Sequence, residues 1–354
     1  MNNNTLIFIA VIVLTLLLSR SQASLWQRRL SFVALAIVLA AAPSLSDNVA
    51  VLTPVFIAVL LGAGWNVIGG FAGYASFGQV AFFGLGAYVM AAMIATTESF
   101  LGLPASVGFV AAMLVCGLFA AIIGLPVLRL RGHYFAIATL ALGFATQQVI
   151  KSLDFLGGSS GISTPIIREI YGFNRDDFFY YLALLLAGVA IAIGWLVSIS
   201  RFGFGLQAIR ENEDAAASMG VDTTLYKIMA FVLAAMITAE AGALQAYLRS
   251  GVSPENDGVF QLRFNLLPLI VALIGGTGTV WGPMIGAFMF LGIEHVLISF
   301  SGSSTLVQDW ERVITGFIIV LVVIFLPKGL SQLVGGRGAH GWRVLRDSLR
   351  VYRV

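Results

Sequence analysis

The sequence predicts an all-α fold, a polytopic transmembrane helix bundle of 8–11 spans with a short helix on its cytoplasmic face. Three observations carry that expectation. Of 354 residues, 59% are apolar and only 10% are charged, against roughly 45–50% and about 25% in soluble domains. A soluble fold of this length leaves a sizeable part of its chain in water and cannot hide so much apolar surface. The apolar residues also run continuously, without the apolar–polar alternation of barrel strands. Finally, 39 glycines without a period suit closely packed membrane helices, where small residues let backbones approach. A soluble enzyme, a disordered regulator and a fibrous protein are excluded.

In chain order, the apolar segments are 5–19, 30–45, 50–68, 80–96, 105–128, 134–150, 179–200, 228–248, 264–275, 283–300 and 310–327. A full crossing needs about 20 residues, so the first, second and ninth are short enough to be tilted, interfacial or half-spanning. The first run is neither preceded by basic residues nor followed by a small-residue cleavage signature, and reads as a retained helix rather than a signal peptide. With eleven crossings and the N-terminus outside, 14 of the 20 basic residues fall on inner loops, as the positive-inside rule requires. They are Arg20, Arg28, Arg29, Arg129, Arg131, Arg201, Arg210, Lys227, Lys328, Arg337, Arg343, Arg346, Arg350 and Arg353. Lys151, Arg168, Arg175, Arg249, Arg263 and Arg312 remain outside. Two connections exceed a hairpin: the outer 151–178 and the inner 201–227. The rest is tightly joined, so one membrane domain is expected over 1–354. It includes N-terminal helices in 5–49, the inner loop at 201–227 and a basic cytoplasmic tail at 329–354.

Chemistry-bearing motifs are sparse. There is no phosphate-cradling G-x-x-x-x-G-K-[ST], no H-E-x-x-H and no paired cysteines. His133, His295 and His340 are far apart, and the single Cys116 sits in an apolar run, which gives no disulfide framework and no metal cluster. The chain is therefore expected to be no enzyme, to hold no cofactor or metal, and to bind no nucleic acid. Work for uphill transport would come from a bound partner or a coupled ion.

The inner loop contains Leu206 to Met219, rich in helix formers, then Gly220 where a helix would stop. Asp222-Thr-Thr follows as a cap for a helix starting near Leu225. A short surface helix is expected, with an alanine face and with Glu211, Glu213 and Asp214 offering charge; a solvated connector would share that pattern. The run Ala208-Ile-Arg-Glu-Asn-Glu-Asp-Ala-Ala-Ala-Ser-Met-Gly220 resembles the coupling loop of ABC-transporter permeases, and more narrowly that of LivM-like permeases of branched-chain amino acid uptake systems. The resemblance implies that Arg210, Glu211, Glu213, Ala215, Ala216 and Gly220 belong to a loop that docks on an ATPase subunit.

Other stretches are similar to the same family. In Gly70-Phe-Ala-Gly-Tyr-Ala-Ser-Phe-Gly-Gln-Val-Ala-Phe-Phe-Gly-Leu-Gly-Ala-Tyr88, five glycines with Ser76 and Gln79 read as a broken or closely packed helix. Irregular backbone at membrane depth must line a cavity or be buried in protein. Ser76, Gln79, Phe82, Phe83 and Tyr88 are candidate walls of a path, or core packing. Gly132-His-Tyr-Phe-Ala-Ile-Ala-Thr-Leu-Ala-Leu-Gly143 and Gly157-Gly-Ser-Ser-Gly-Ile162 also resemble the LivM pattern. So does Gly275-Gly-Thr-Gly-Thr-Val-Trp-Gly-Pro-Met-Ile-Gly-Ala287, where Pro283 and five glycines imply a turn between segments nine and ten. The motifs cover about 60–330. Phe144 and Ala145 depart from the family, where a polar pair with a Glu is usual, as does Glu240, where an apolar residue is usual.

Glu240 lies near mid-span. A charge there costs about 2.5–3.5 kcal/mol on insertion scales, so it should face protein or water, either in the path or in a structural hydrogen bond. Asn66, Gln147 and Gln148 fit hydrogen-bonding between helices. Taken with the resemblance, the expected function is the permease subunit of an ATP-driven ABC importer in a bacterial inner membrane, carrying branched-chain or related apolar amino acids. Its implied partners are a second related permease, two ATP-binding-cassette subunits and a periplasmic substrate-binding protein. The alternatives are a permease of the same type for urea or short amides, and an ion-coupled secondary transporter acting alone.

Overall fold

A computed structural model describes residues 3–19, 25–46, 48–95, 105–164, 169–170, 173–249, 251–255, 258–301, 316 and 329–330. The eleventh apolar segment and the basic tail lie outside the described residues except at those last three positions. The described chain is a helix bundle, and its only strands among the described residues form two-residue pairings. Four helical stretches are long and apolar enough to cross a membrane: Val49–Phe71, Ala105–Val127, Arg175–Ile199 and Thr223–Leu248. Shorter apolar helices accompany them.

The chain divides into two compact units, one of residues 1–51 and 270–354 and one of 52–269. In the first, helix α1 (Asn3–Ser19) packs on α2 (Leu25–Leu45). The α1 ring of Phe8 lies 5.7 Å from Phe288 and 5.8 Å from His295. The expected turn before 283 is present: Gly276 and Gly278 adopt φ of +114° and +73°, values open to glycine.

The second unit is built around one helix. It contains α3 (Thr53–Trp65), α4 (Gln79–Ile94), α5 (Ala105–Val127) and α6 (His133–Lys151). It continues with α7 (Arg175–Ile199), α8 (Arg201–Glu211), α9 (Glu213–Ser218) and α10 (Thr223–Leu248), and α11 (Leu262–Gly275) begins in it. Helix α10 packs against α3, α4 and α5. The contact with α4 is backbone-close: a Cβ on Gly242 would strike the Phe83 carbonyl, and one on Gly86 would strike the backbone of Ala239.

The outer helices are inverted relative to a soluble fold. On α5, Gly108, Ala112, Cys116, Ala120 and Gly124 recur every fourth residue and are buried, so they share one face. Val110, Leu114, Leu118, Ile122 and Leu125 point outward and are exposed. Helix α7 repeats the scheme, burying Ala183, Ala187 and Ala190 and exposing Leu185, Val189, Trp195 and Leu196. Large apolar side chains outside and small ones inside describe a bundle whose solvent is lipid.

Candidate functional site

The glycine-rich stretch is where the bundle stops being regular. Helix α3 ends at Trp65, residues Asn66–Phe71 form one π-helical turn, and 72–78 are non-helical until α4 starts at Gln79. Single π-turns are a usual way of opening the i→i−4 ladder inside a helix. The exposed backbone groups are then closed by side chains from elsewhere in the unit. Trp65 Nε1 donates to the Ser76 carbonyl (2.8 Å), and the Phe77 amide donates to Thr139 Oγ1 of α6 (3.0 Å). Arg210 Nη1 donates to the Gly70 carbonyl (2.7 Å). Gly73 adopts φ +77° and packs against the stem of the same Arg210. Ala72, Ser76 and Gly78 of this stretch are buried, Tyr74 and Phe77 are half-buried, and Gly73 and Ala75 are exposed.

Ser76, Gln79, Phe82, Phe83 and Tyr88 are all fully buried in this unit. Phe83 stacks on Phe264 of α11 at 4.4 Å, and Phe82 meets Phe231 of α10 edge-on at 5.2 Å. Gln79 Oε1 accepts from Thr238 Oγ1 at 2.7 Å, while its Nε2 and the Tyr88 hydroxyl are buried without a hydrogen-bond partner. Glu240 of α10 is half-buried and neighbours Cys116. Among the described residues its carboxylate makes neither a hydrogen bond nor an ion pair. Gln147 does bond between elements, donating from Nε2 to the Pro254 carbonyl at 2.6 Å.

The inner loop forms two helices where one was expected. Ser200 caps α8, its Oγ accepting from the Gly203 amide (3.1 Å), so that helix begins at Arg201 rather than near Leu206. It breaks at Asn212, whose φ is −161° and whose Oδ1 accepts from the Ala215 amide (3.0 Å), capping α9. Asn212 followed by Glu213 and Asp214 is a start signal legible in the sequence, a polar cap with acids in the first turn. Gly220 then takes φ +88°, and Asp222 Oδ1 accepts from the Leu225 amide (3.0 Å), capping α10 from Thr223.

The loop's candidate residues face two ways. Glu211, Ala215 and Gly220 are exposed, as is Met219, the most exposed large apolar side chain described. Ala216 is buried, and Arg210 is spent on Gly70. Glu213 also turns inward. Lys227 Nζ donates to its Oε1 at 2.6 Å, the Tyr74 hydroxyl donates to its Oε2, and Arg131 Nη2 approaches at 3.5 Å. Lys227 Nζ further donates to the Tyr74 hydroxyl (3.2 Å) and the Leu128 carbonyl (3.3 Å), and it lies over the Tyr74 ring. Arg131 pairs with Asp214 at 3.1 Å.

Burial alone would raise the Glu213 pKa, but the hydrogen bonds from Lys227 and Tyr74 and the charges of Lys227 and Arg131 outweigh it and hold the carboxyl below its usual range. Tyr74 is pushed up, first by burial and then by its bond to Glu213, so it stays protonated and remains a donor. Tyr74 sits in the broken stretch, Glu213 in the loop and Lys227 at the start of the central helix; Arg210–Gly70 makes a second tie between loop and break. Sequence reasoning missed Tyr74 and Lys227 as partners of Glu213. Tyr74 lay inside the glycine-rich motif and Lys227 was counted only as an inner charge.

An all-α bundle with lipid-facing apolar helices, a helix break and a capped surface loop tied to that break defines a polytopic integral membrane protein. Comparison with known proteins gives its family. Residues 48–323 match the family model described as branched-chain amino acid transport system / permease component, and the chain belongs to that family. It is 27% identical over 341 residues to the high-affinity branched-chain amino acid transport system permease protein LivM of Escherichia coli, covering 87% of this chain and 76% of that one. The protein of the same name from Salmonella typhimurium gives 27% over 339 residues with the same coverage. The autoinducer 2 import system permease protein LsrC of Klebsiella pneumoniae is 33% identical over 153 residues, 43% of this chain and 42% of its own.

Proposed function

We propose that the chain is the membrane-spanning subunit of an ATP-driven importer that passes branched-chain or related apolar amino acids into the cell. The family match and the LivM relatives, whose likeness extends over most of the chain, support that substrate class. In this reading the subunit sits in a bacterial inner membrane with its C-terminus in the cytoplasm. It works beside a second permease, two ATP-binding-cassette subunits and a periplasmic binding protein, and it hydrolyses no ATP itself. The single membrane domain assigned to 1–354 is part of the same proposal, as are the path roles of Ser76, Gln79, Phe82, Phe83, Tyr88 and Glu240.

The observation that carries the mechanism is the double tie between loop and broken helix, Glu213 with Tyr74 and Lys227, and Arg210 with Gly70. An ATPase engaging the exposed Glu211, Ala215 and Met219 would move α9. Glu213, turned inward, and Arg210, bonded to Gly70, would then hand that movement to 70–74 and to the foot of α10. The docking set and the transmitting set are thus different residues of one loop.

The test is recovery of the tagged chain from membranes in mild detergent with its ATPase. Exchanging Glu211 for Lys and Ala215 for Arg should release the ATPase and leave the melting temperature unchanged. Exchanging Arg210 for Ala should retain the ATPase and abolish uptake driven by it. A chain that purifies alone and moves solute in liposomes without ATP would overturn the proposal.

A further inference from the structure

At the end of α10 opposite the loop there is a second polar site. Helix α10 has 26 residues, so at 1.5 Å per residue its ends lie about 39 Å apart. Strand Ile162–Ser163 there pairs antiparallel with Gly251–Val252. The pairing is braced by Thr164 Oγ1 donating to the Arg249 carbonyl (3.0 Å), and by the Gln147–Pro254 bond. Gly161 has φ +79°, and a Cβ on it would strike the Val252 carbonyl, so the wall is tightly formed.

Beneath the wall is a cavity of about 210 Å³ lined by residues that include Gln245, Arg249, Ser160 and Ser163 on a polar side and Ile162 and Val259 on an apolar one. Among its described lining residues Arg249 alone is charged. Two of these polar groups lack partners. Gln245 is 7% exposed, and among the described residues its side-chain amide makes no hydrogen bond; Arg249 stands at the rim, exposed, and its guanidinium makes neither a hydrogen bond nor an ion pair there. A buried amide is normally satisfied, and a guanidinium presents a planar fork suited to two oxygens of one carboxylate.

We infer that this cavity receives the carboxylate of a small solute between Arg249 and Gln245, with a short apolar side chain against Ile162 and Val259. The volume is below that of drug-sized sites, which run from about 300 Å³, and suits a small solute. A single cation among the described lining residues, beside Ile162, Val252 and Val259, also fits a carboxylate with a short alkyl group better than a phosphate, which calls for several donors. The inference deepens the proposed function, on which its identification with an amino acid rests, by placing a reception site at the end of the central helix away from the ATPase.

The test uses the full-length chain in lipid nanodiscs, without ATPase or binding protein, and measures dissociation constants by ligand-observed NMR. The probes are L-leucine, 4-methylpentanoate, L-leucinamide and inorganic phosphate. Leucine and 4-methylpentanoate should compete for one site, with leucinamide and phosphate each weaker by roughly tenfold or more, the scale of a lost charge-assisted contact. Arg249→Gln should weaken leucine by about tenfold and Gln245→Leu by several-fold, with melting unchanged; Arg249→Lys should recover part of the loss and guards against misfolding of the first variant. Leucinamide or phosphate binding as tightly as leucine, an unaffected Arg249→Gln variant, or binding only when the binding protein is added would each overturn the inference. Recovery of the ATPase is scored separately. Carboxylate binding without ATPase recovery removes the coupled reading and leaves the cavity, and the converse does the reverse.

Discussion

The two ends of helix α10 are made from the same kinds of side chain and are finished differently. At the loop end, Lys227 makes three hydrogen bonds and one ring contact, and Glu213 meets two cations and a tyrosine. At the far end, the side chains of the exposed Arg249 and the largely buried Gln245 line a cavity and make no hydrogen bond or ion pair among the described residues. Polar groups locked to one another transmit displacement, because moving one requires moving its partners. Polar groups left without protein partners beside a braced wall are open to a ligand. The first arrangement suits force transfer and the second suits reception, which fits a subunit that works between an ATPase and a delivered solute.

The sharpest way to break this contrast is Lys227→Met. It leaves the Glu213 carboxylate, 13% exposed in its side chain, with only the solvent-facing Arg131 for charge. Removing one partner of a buried pair costs about 3–5 kcal/mol. A large fall in the melting temperature of the full chain in detergent is expected, together with loss of ATPase-driven uptake. A variant that melts and transports like the parent would show that the loop end is not locked.

Next in size is Tyr74→Phe, which removes the hydroxyl between Lys227 and Glu213. Losing a hydrogen bond to a charged group costs about 1.5–3 kcal/mol. If the three residues act as one unit, a cycle with Glu213→Gln should show coupling of at least about 0.5 kcal/mol. Additive losses would separate Tyr74 from the cluster and sharpen the site to the ion pair alone.

A smaller effect is expected with acid. Glu213 has its carboxyl pKa lowered in the folded chain, so its contribution is fully present above the unfolded value of about 4.3 and is lost as pH falls through the lowered one. The parent should therefore lose stability over that window, and Glu213→Gln, already weakened at neutral pH, should lose less. Parallel melting-versus-pH curves for the two would remove Glu213 from the lock.

Much of this was legible in the sequence, and the limits follow from what a sequence encodes. Composition and continuous apolar runs dictate lipid as solvent, Gly220 and Asp222 mark a stop and a start by local chemistry, and the glycines of 70–86 signal a break. Three kinds of fact are not local. Burial of Phe82 and Phe83 depends on Phe231 and Phe264, far along the chain. The inward turn of Glu213 depends on Tyr74, 139 residues away. The cavity needs a strand pairing between Ile162 and Val252 that no two-residue run announces. Asn212 was legible and passed over: the alanine-rich pattern on either side of it suggested one helix, while the cap geometry makes two.

The smallest predicted effect tests the far end and has the opposite sign from the others. Gln245→Leu removes a largely buried amide that has no partner in the described chain and supplies an apolar side chain beside Ile162 and Val259. Replacing a largely buried amide that bonds no protein group with an apolar side chain of similar size is neutral or stabilising, by up to about 1 kcal/mol. Melting should hold or rise slightly while leucine binding weakens, the opposed changes of stability and function expected where a site is kept open for a ligand. A fall in melting of the kind expected for Tyr74→Phe would show instead that Gln245 supports the bundle, and the two ends of α10 would then be alike.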